Sequence, residues 1–236
     1  MEYVNRNPTK VGRPPRPVEF VLEALFYRIR TGCPWRDLPE RLGPWQTIHG
    51  RFLLWCKLKI WDRALRFMAK RASGKLRIID ATHIKVLQAG ANPVGGAKHQ
   101  ALGITKGGRN TKLHALVDGR GRAVALLLTA GQIHDITQAE KLLTGHRDCI
   151  VLGDLGYDSD AFREYLRRQG NEPCIPGRKN RKAKPLYHKG HYKKRHRVEN
   201  FFCRIKRFTG VAARREKLAI SFLGVVTLAA LIDWIS

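Results

Sequence analysis

Two short apolar runs, each ending in a carboxylate, constrain this chain more than any other feature. Leu76-Arg-Ile-Ile-Asp80 and Cys149-Ile-Val-Leu-Gly-Asp154 read as buried strands. If those strands are neighbours in one sheet, Asp80 and Asp154 sit side by side. Ile84-Lys-Val-Leu87 continues or returns the first strand, and residues 88–110, with six glycines, read as a long mobile loop. Residues 113–117 and 123–128 are apolar runs joined by Asp118-Gly-Arg-Gly-Arg122, a strong hairpin signal. A short helix over 137–143, a helix over 162–168 and a strand over 173–175 follow. The expected fold is α/β, a mixed sheet flanked by helices.

The third acid of interest lies in the most basic part of the sequence. Between residues 177 and 217 there are 16 Lys or Arg against Glu199 and Glu216 alone. Val198, Phe201, Phe202, Ile205 and Phe208 recur at helical spacing, which predicts a helix that buries one face. Tyr192, Arg195, Glu199 and Lys206 share a second face, about 100° from the apolar one by the same geometry. The helix therefore aims one acid, flanked by cations, along the border of its buried stripe.

The chain carries 45 Lys and Arg against 19 acids in 236 residues, a formal charge of +26. Charge this lopsided calls for a polyanionic partner, and nucleic acid fits because each neutralised phosphate releases counterions; a membrane surface is the competing polyanion. Five scattered cysteines, with no C-x-x-C pair, indicate neither a disulfide framework nor a zinc site and fit a reducing cytosol. The N-terminal residues lack the apolar run of a signal peptide. The longest uncharged stretch, residues 218–232, is shorter than the roughly 20 residues that span a bilayer and reads as a buried core helix.

Residues 1–17 form a basic, Pro-rich arm, an extended linker or a minor-groove contact through Gly12-Arg13-Pro14. Residues 18–73 read as three short helices, punctuated by Gly32, Pro34, Pro39 and Pro44. They suit a helix-turn-helix DNA-binding region, with Thr47, His49, Gly50 and Arg51 at the start of a recognition helix. They suit equally a structural cap with Trp35, Trp45, Trp55 and Trp61 as core. Residues 74–236 hold the expected mixed sheet and the basic helix.

Cleavage of a phosphodiester by two metal ions needs three or four carboxylates converging on ions about 4 Å apart. Mg²⁺ takes hard oxygen ligands, so Asp and Glu suffice. Asp80, Asp154 and Glu199 meet that need if the helix packs across the two strands. Each acid also has an ordinary reading: Asp80 caps the following turn, Asp154 bonds the turn at Gly153 and Gly156, and Glu199 pairs with Arg195.

Ile-Ile-Asp80-Ala-Thr-His, Gly-Asp154-Leu-Gly-Tyr-Asp and Tyr192-x2-Arg195-x3-Glu199-x6-Lys206 together resemble the DDE transposases of bacterial insertion sequences, specifically the insertion-sequence-five family with its Tyr-Arg-Glu-Lys signature. Cys33-Pro-Trp-Arg-Asp-Leu-Pro, Lys112-Leu-His-Ala-Leu-Val-Asp and Thr129-Ala-Gly-Gln-Ile-His-Asp135 extend the resemblance over nearly all of residues 12–235. It implies a ribonuclease-H-like catalytic fold and two Mg²⁺ or Mn²⁺ ions on Asp80, Asp154 and Glu199. Tyr192, Arg195 and Lys206 would contact DNA near the scissile phosphate. Arg197, Arg204, Arg207 and Arg51 are the further DNA-binding candidates, and Asp135 and Asp158 stay outside the triad because neither ends an apolar strand. The partners implied are double-stranded DNA at element ends and target, no membrane, and a homodimer or larger assembly on DNA. A nuclease of the same fold that does not join ends, and a non-catalytic, decayed transposase that binds DNA, are the alternatives.

Overall fold

The structure is a computed structural model that describes residues 16–72, 74–93 and 95–236. The arm with Gly12, Arg13 and Pro14 lies outside the described residues. Three helices come first: α1 (Val18–Thr31), α2 (Trp45–Lys57) and α3 (Ile60–Ala69). α1 buries Val21, Ala24, Leu25 and Ile29 and stops at Gly32, whose left-handed backbone (φ 66°) returns its N–H to Arg28 O. Pro34 and Pro39 each lead into a three-residue 3-10 turn and Pro44 into α2, because proline suits the start of a helix but not its interior.

β1 (Leu76–Val86) is one unbroken strand. The sequence suggests an interruption after Asp80, yet Ala81, Thr82 and His83 all stay in the ladder because β3 (Gly108–Asp118) pairs antiparallel with β1 along Arg77 to Lys85. Part of the expected 88–110 loop is likewise ordered, as β2 (Gly103–Thr105) folds back onto the start of β3. β4 (Ala123–Ala130) closes the hairpin with β3, and α4 (Ile136–Leu142) follows. β5 (Ile150–Leu152) then pairs parallel with β1, and after α5 (Asp160–Arg168), β6 (Glu172–Cys174) pairs parallel with β5. The basic loop leads to α6 (Lys189–Tyr192), a 3-10 turn (Lys193–Arg195) and α7 (His196–Ile205). α8 (Thr209–Ala212), β7 (Ala213–Arg214) and α9 (Ala219–Ile235) complete the chain. The sheet runs β2-β3-β1-β5-β6, with β4 on β3 and β7 on β1.

α9 is the buried helix expected of the uncharged stretch, and among the described residues no helix is long and apolar enough to cross a membrane. It also joins the helical region to the sheet. Its Gly224 lies so close to Cys56 of α2 that an added Cβ would sit 2.5 Å from that sulfur. At its far end Trp234 Nε1 donates to Ala123 O of β4 (2.7 Å). The apolar core is consequently continuous from Leu25 and Phe52 through Phe222 and Val226 to Ile78 and Leu116. The Trp residues at 35, 45, 55 and 61 all belong to it or pack against it.

Burial inside the sheet shifts the ionisation of a histidine on β3. His114 of β3 is fully buried, with Nε2 2.8 Å from Thr129 Oγ1 and Nδ1 3.8 Å from Asp135 Oδ1. Burial pushes its ring from 6.5 down to about 4, against the opposing pull of Asp135. Below pH 6.5 the unfolded chain takes up a proton that the folded ring refuses until about pH 4. Stability therefore falls as pH drops through that window, by on the order of 2–3 kcal/mol from this group. Thermal unfolding between pH 7 and 4.5 should show a shallower decline in His114→Gln than in wild type; equal slopes would refute this origin.

Candidate active site

Parallel pairing puts Ile78 of β1 opposite Leu152 of β5. Asp80 comes two residues further along β1 and Asp154 two residues past the end of β5, where its backbone is still extended (φ −79°, ψ −176°). The two acids therefore stand at equivalent positions and, by the alternation of side chains, point to the same face. Glu199 arrives from α7, which packs across β1 and β3 with Val198, Phe201, Phe202 and Ile205 buried. The helical periodicity thus identifies the stripe correctly, with Phe208 beyond the helix end and only half-buried.

Arg195 ties this arrangement together. Its Nη1 lies 2.9 Å from Asp80 Oδ2 and its Nη2 donates to Glu199 Oε1. The local readings of the acids also hold: Asp80 Oδ1 accepts from Ala81 N (2.8 Å) and Asp154 Oδ1 from Gly156 N (2.8 Å). Burial pushes Asp80 up to about 6; the Ala81 N–H and Arg195 pull it down, while the charges of Asp154 and Glu199 push it further up. Asp80 is mostly buried, whereas about half of the Glu199 side chain meets solvent.

The remaining candidates divide into two groups. Lys206 lies beside the acids, donating from Nζ to Thr82 Oγ1 (2.7 Å) and His83 O (3.4 Å), and burial holds its ammonium below the usual lysine range. Tyr192 is half-buried, stacked edge-on against Tyr187, and burial raises its hydroxyl. Arg197 and Arg204 instead hold the helix in place. Arg197 donates to Gly119 O, while Arg204 donates to Gly121 O (2.8 Å) and pairs with Asp233 of α9 (2.6 Å). Gly121 sits at φ 79°, where an added Cβ would meet Arg197 O at 2.8 Å, so the β3–β4 turn presses directly on the start of α7. Arg207 is exposed, and Arg51 lies far off in the chain on α2, its guanidinium 6.0 Å from the Trp55 ring centre. Of the other recognition-helix candidates, Thr47 and Gly50 are exposed and the His49 ring packs 4.6 Å from Trp35.

Asp158 and Asp135 are engaged elsewhere. Asp158 is buried against Arg163 (2.9 Å) and Arg181 (3.1 Å), and Asp135 pairs with Lys112 (2.9 Å). Thr82 was not singled out by sequence reasoning, although period-two alternation from Asp80 puts it on the same face. Asp233 and the turn carbonyls carried no local signal, because their role depends on arginines of α7 that are 29 residues away from Asp233 and 78 and 83 away from Gly119 and Gly121.

The donor set around Asp80 is all carboxylate oxygen, which suits a hard divalent ion. Among the described residues no three His, Cys, Asp or Glu converge at ligand spacing; the gap between Asp80 and Glu199 holds the Arg195 guanidinium, a cation in a cation's place.

A seven-stranded mixed sheet flanked by helices, with one acid midway along β1 and another just past the end of the adjacent parallel β5, puts the fold in the ribonuclease-H-like class. The chain belongs to the transposase DDE domain family, whose model matches residues 71–234; a second model, "Putative transposase of IS4/5 family", matches residues 2–65. It is 35% identical over 127 residues to a Brucella ovis protein named "Putative transposase for insertion sequence element IS6501", covering 53% of this chain and 98% of that one. A Burkholderia cepacia relative, "Putative transposase for insertion sequence element IS402", is 36% identical over 81 residues, 29% of this chain and 38% of that one. In fold the chain is similar to the piggyBac transposase solved as a synaptic complex with hairpin DNA, with a TM-score of 0.51, 11% identity, and coverage of 98% of this chain and 69% of that one.

Because Arg204 is tied to Asp233 and Gly121, Arg204→Ala should lower folding stability by about 1–2 kcal/mol. It should leave the salt dependence of DNA binding unchanged. Weaker DNA binding at unaltered Tm would instead make Arg204 a phosphate contact.

Proposed function

We propose that this transposase binds the terminal inverted repeats of its insertion sequence, cuts there by hydrolysis, and transfers the freed 3′-hydroxyl to target DNA. The observation that supports this reading is the bridging of Asp80 and Glu199 by Arg195, with Asp154 two residues past the Leu152 that pairs with Ile78 on the neighbouring strand. Two ions of the Mg²⁺ or Mn²⁺ type, held by these three carboxylates, would supply the Lewis acidity for attack and departure at phosphorus. Asp80 and Asp154 are fixed by backbone N–H groups, so each keeps its second oxygen oriented. Lys206, at the same face, would hold a phosphate oxygen of the bound strand, and Tyr192 would pack against it.

Residues 18–73 would read bases from the exposed N-terminal end of α2, while Arg207 and the cations of the 178–194 loop would hold phosphates without reading sequence. In this reading 74–236 is the catalytic portion, the arm at 1–17 adds cationic reach, and two copies assemble on a pair of ends.

A labelled duplex carrying the terminal repeat should be nicked at the repeat boundary with Mg²⁺ or Mn²⁺ and not with EDTA. Asp154→Asn and Glu199→Gln should each lower cleavage by about 10²–10³-fold or more. DNA affinity should be equal or tighter, since each change removes a negative charge facing phosphate. Cleavage undiminished in both variants would sink the assignment. A pre-cut 3′-hydroxyl end supplied with a target plasmid should give joined product; nicking without joining would leave a nuclease.

A further inference from the structure

We propose that Arg195 is a resident cation that closes the carboxylate site in the DNA-free protein and is drawn out by DNA phosphate, so that DNA and divalent metal bind cooperatively. The proposal rests on the reading of Asp80, Asp154 and Glu199 as metal ligands. One guanidinium satisfies two of those acids at once: Nη1 is 2.9 Å from Asp80 Oδ2, and Nη2 donates to Glu199 Oε1. The acids come from elements more than a hundred residues apart, so a planar fork spanning both fixes their separation. A divalent ion between the same oxygens would meet both the volume and the positive charge of that fork. Metal and Arg195 therefore exclude one another.

Departure of Arg195 requires only side-chain rotation. Its backbone is ordinary helix (φ −57°, ψ −35°), at the end of the Lys193–Arg195 turn, and its side chain is already 23% exposed. Lys193 beside it is exposed and Lys194 half-buried, so the surface it would swing toward is cationic and favours a polyanion. A phosphate accepts the same two-pronged contact that the carboxylates now make. Lys206, the other cation at the site, rests on a hydroxyl and a carbonyl rather than on an acid, so it does not take over the place Arg195 leaves. By linkage, whatever DNA adds to metal affinity, metal adds to DNA affinity.

The test is a Mn²⁺ titration of the full chain, read by the electron paramagnetic resonance of free Mn²⁺. Wild type, Arg195→Gln, Arg195→Lys and Asp154→Asn are compared. Without DNA, both Arg195 variants should bind Mn²⁺ about 10-fold more tightly than wild type. The lysine variant discriminates, because it keeps the charge but cannot span both acids. A short duplex should tighten Mn²⁺ binding in wild type and leave Arg195→Gln unmoved. Arg195→Lys binding as weakly as wild type, or a duplex that leaves wild type unchanged, would overturn the proposal. Asp154→Asn binding Mn²⁺ as well as wild type would instead overturn the underlying assignment of ligands, a different failure with a different signature. Circular dichroism of each variant confirms that the partly exposed Arg195 can be replaced without unfolding.

Discussion

Parallel pairing of β1 with β5 is the constraint on which the rest of the site depends. It makes Asp80 and Asp154 equivalent in register, each two residues past the Ile78–Leu152 pair, and a slip of one residue would turn one acid to the opposite face. Parallel strands need a crossover, and the chain between β1 and β5 supplies it with the β2–β3–β4 segment and α4. That same segment provides the turn at Gly119 and Gly121 on which α7 is seated, so the fold that aligns two acids also positions the helix that brings the third.

A chain with 26 more cations than acids must place its few carboxylates with care. Several are structural. Buried Asp118 accepts from the backbone and side chain of Arg122 and shapes the hairpin turn. Asp158 gathers Arg163 and Arg181 to anchor the basic loop. Glu216 pairs with Arg28 at 2.8 Å, both nearly fully buried, and so binds the helical region to the segment ahead of α9. Such pairs are costly to break, because removing one partner strands the other's charge in the core. Asp80 and Glu199 differ from these in sharing one arginine, Arg195, with Asp154 two residues past the Leu152 that pairs with Ile78.

Much of this was legible in the sequence, and for identifiable reasons. The three N-terminal helices, the β3–β4 hairpin, α7 and α9 carry strong local signals: periodic apolar residues, Gly32 at a helix end, an Asp-Gly turn. The acids were visible because each follows a short apolar run or interrupts a cationic one. What sequence could not give is pairing. The continuity of β1 through Ala81 and Thr82, and the ordering of β2, depend on β3 as a partner. Arg197 and Arg204 look identical to DNA-facing arginines in a basic helix; only the turn carbonyls and Asp233, distant in sequence, give them a different task. The two-residue strand β7 and the closure of the core by Gly224 against Cys56 are likewise products of tertiary contact.

The most direct test of the central claim, that Asp80, Asp154 and Glu199 hold one metal site, is local cleavage of the protein backbone by bound iron. Fe²⁺ loaded in place of the native ion, with ascorbate and peroxide, cuts polypeptide only near where it is held. The account predicts fragments ending close to residues 80, 154 and 199 together, all suppressed by excess Mg²⁺ and all lost in Asp154→Asn. Fragments confined to another region, such as the acids at 158 and 160, or cuts at the three positions that persist in the variant, would contradict it.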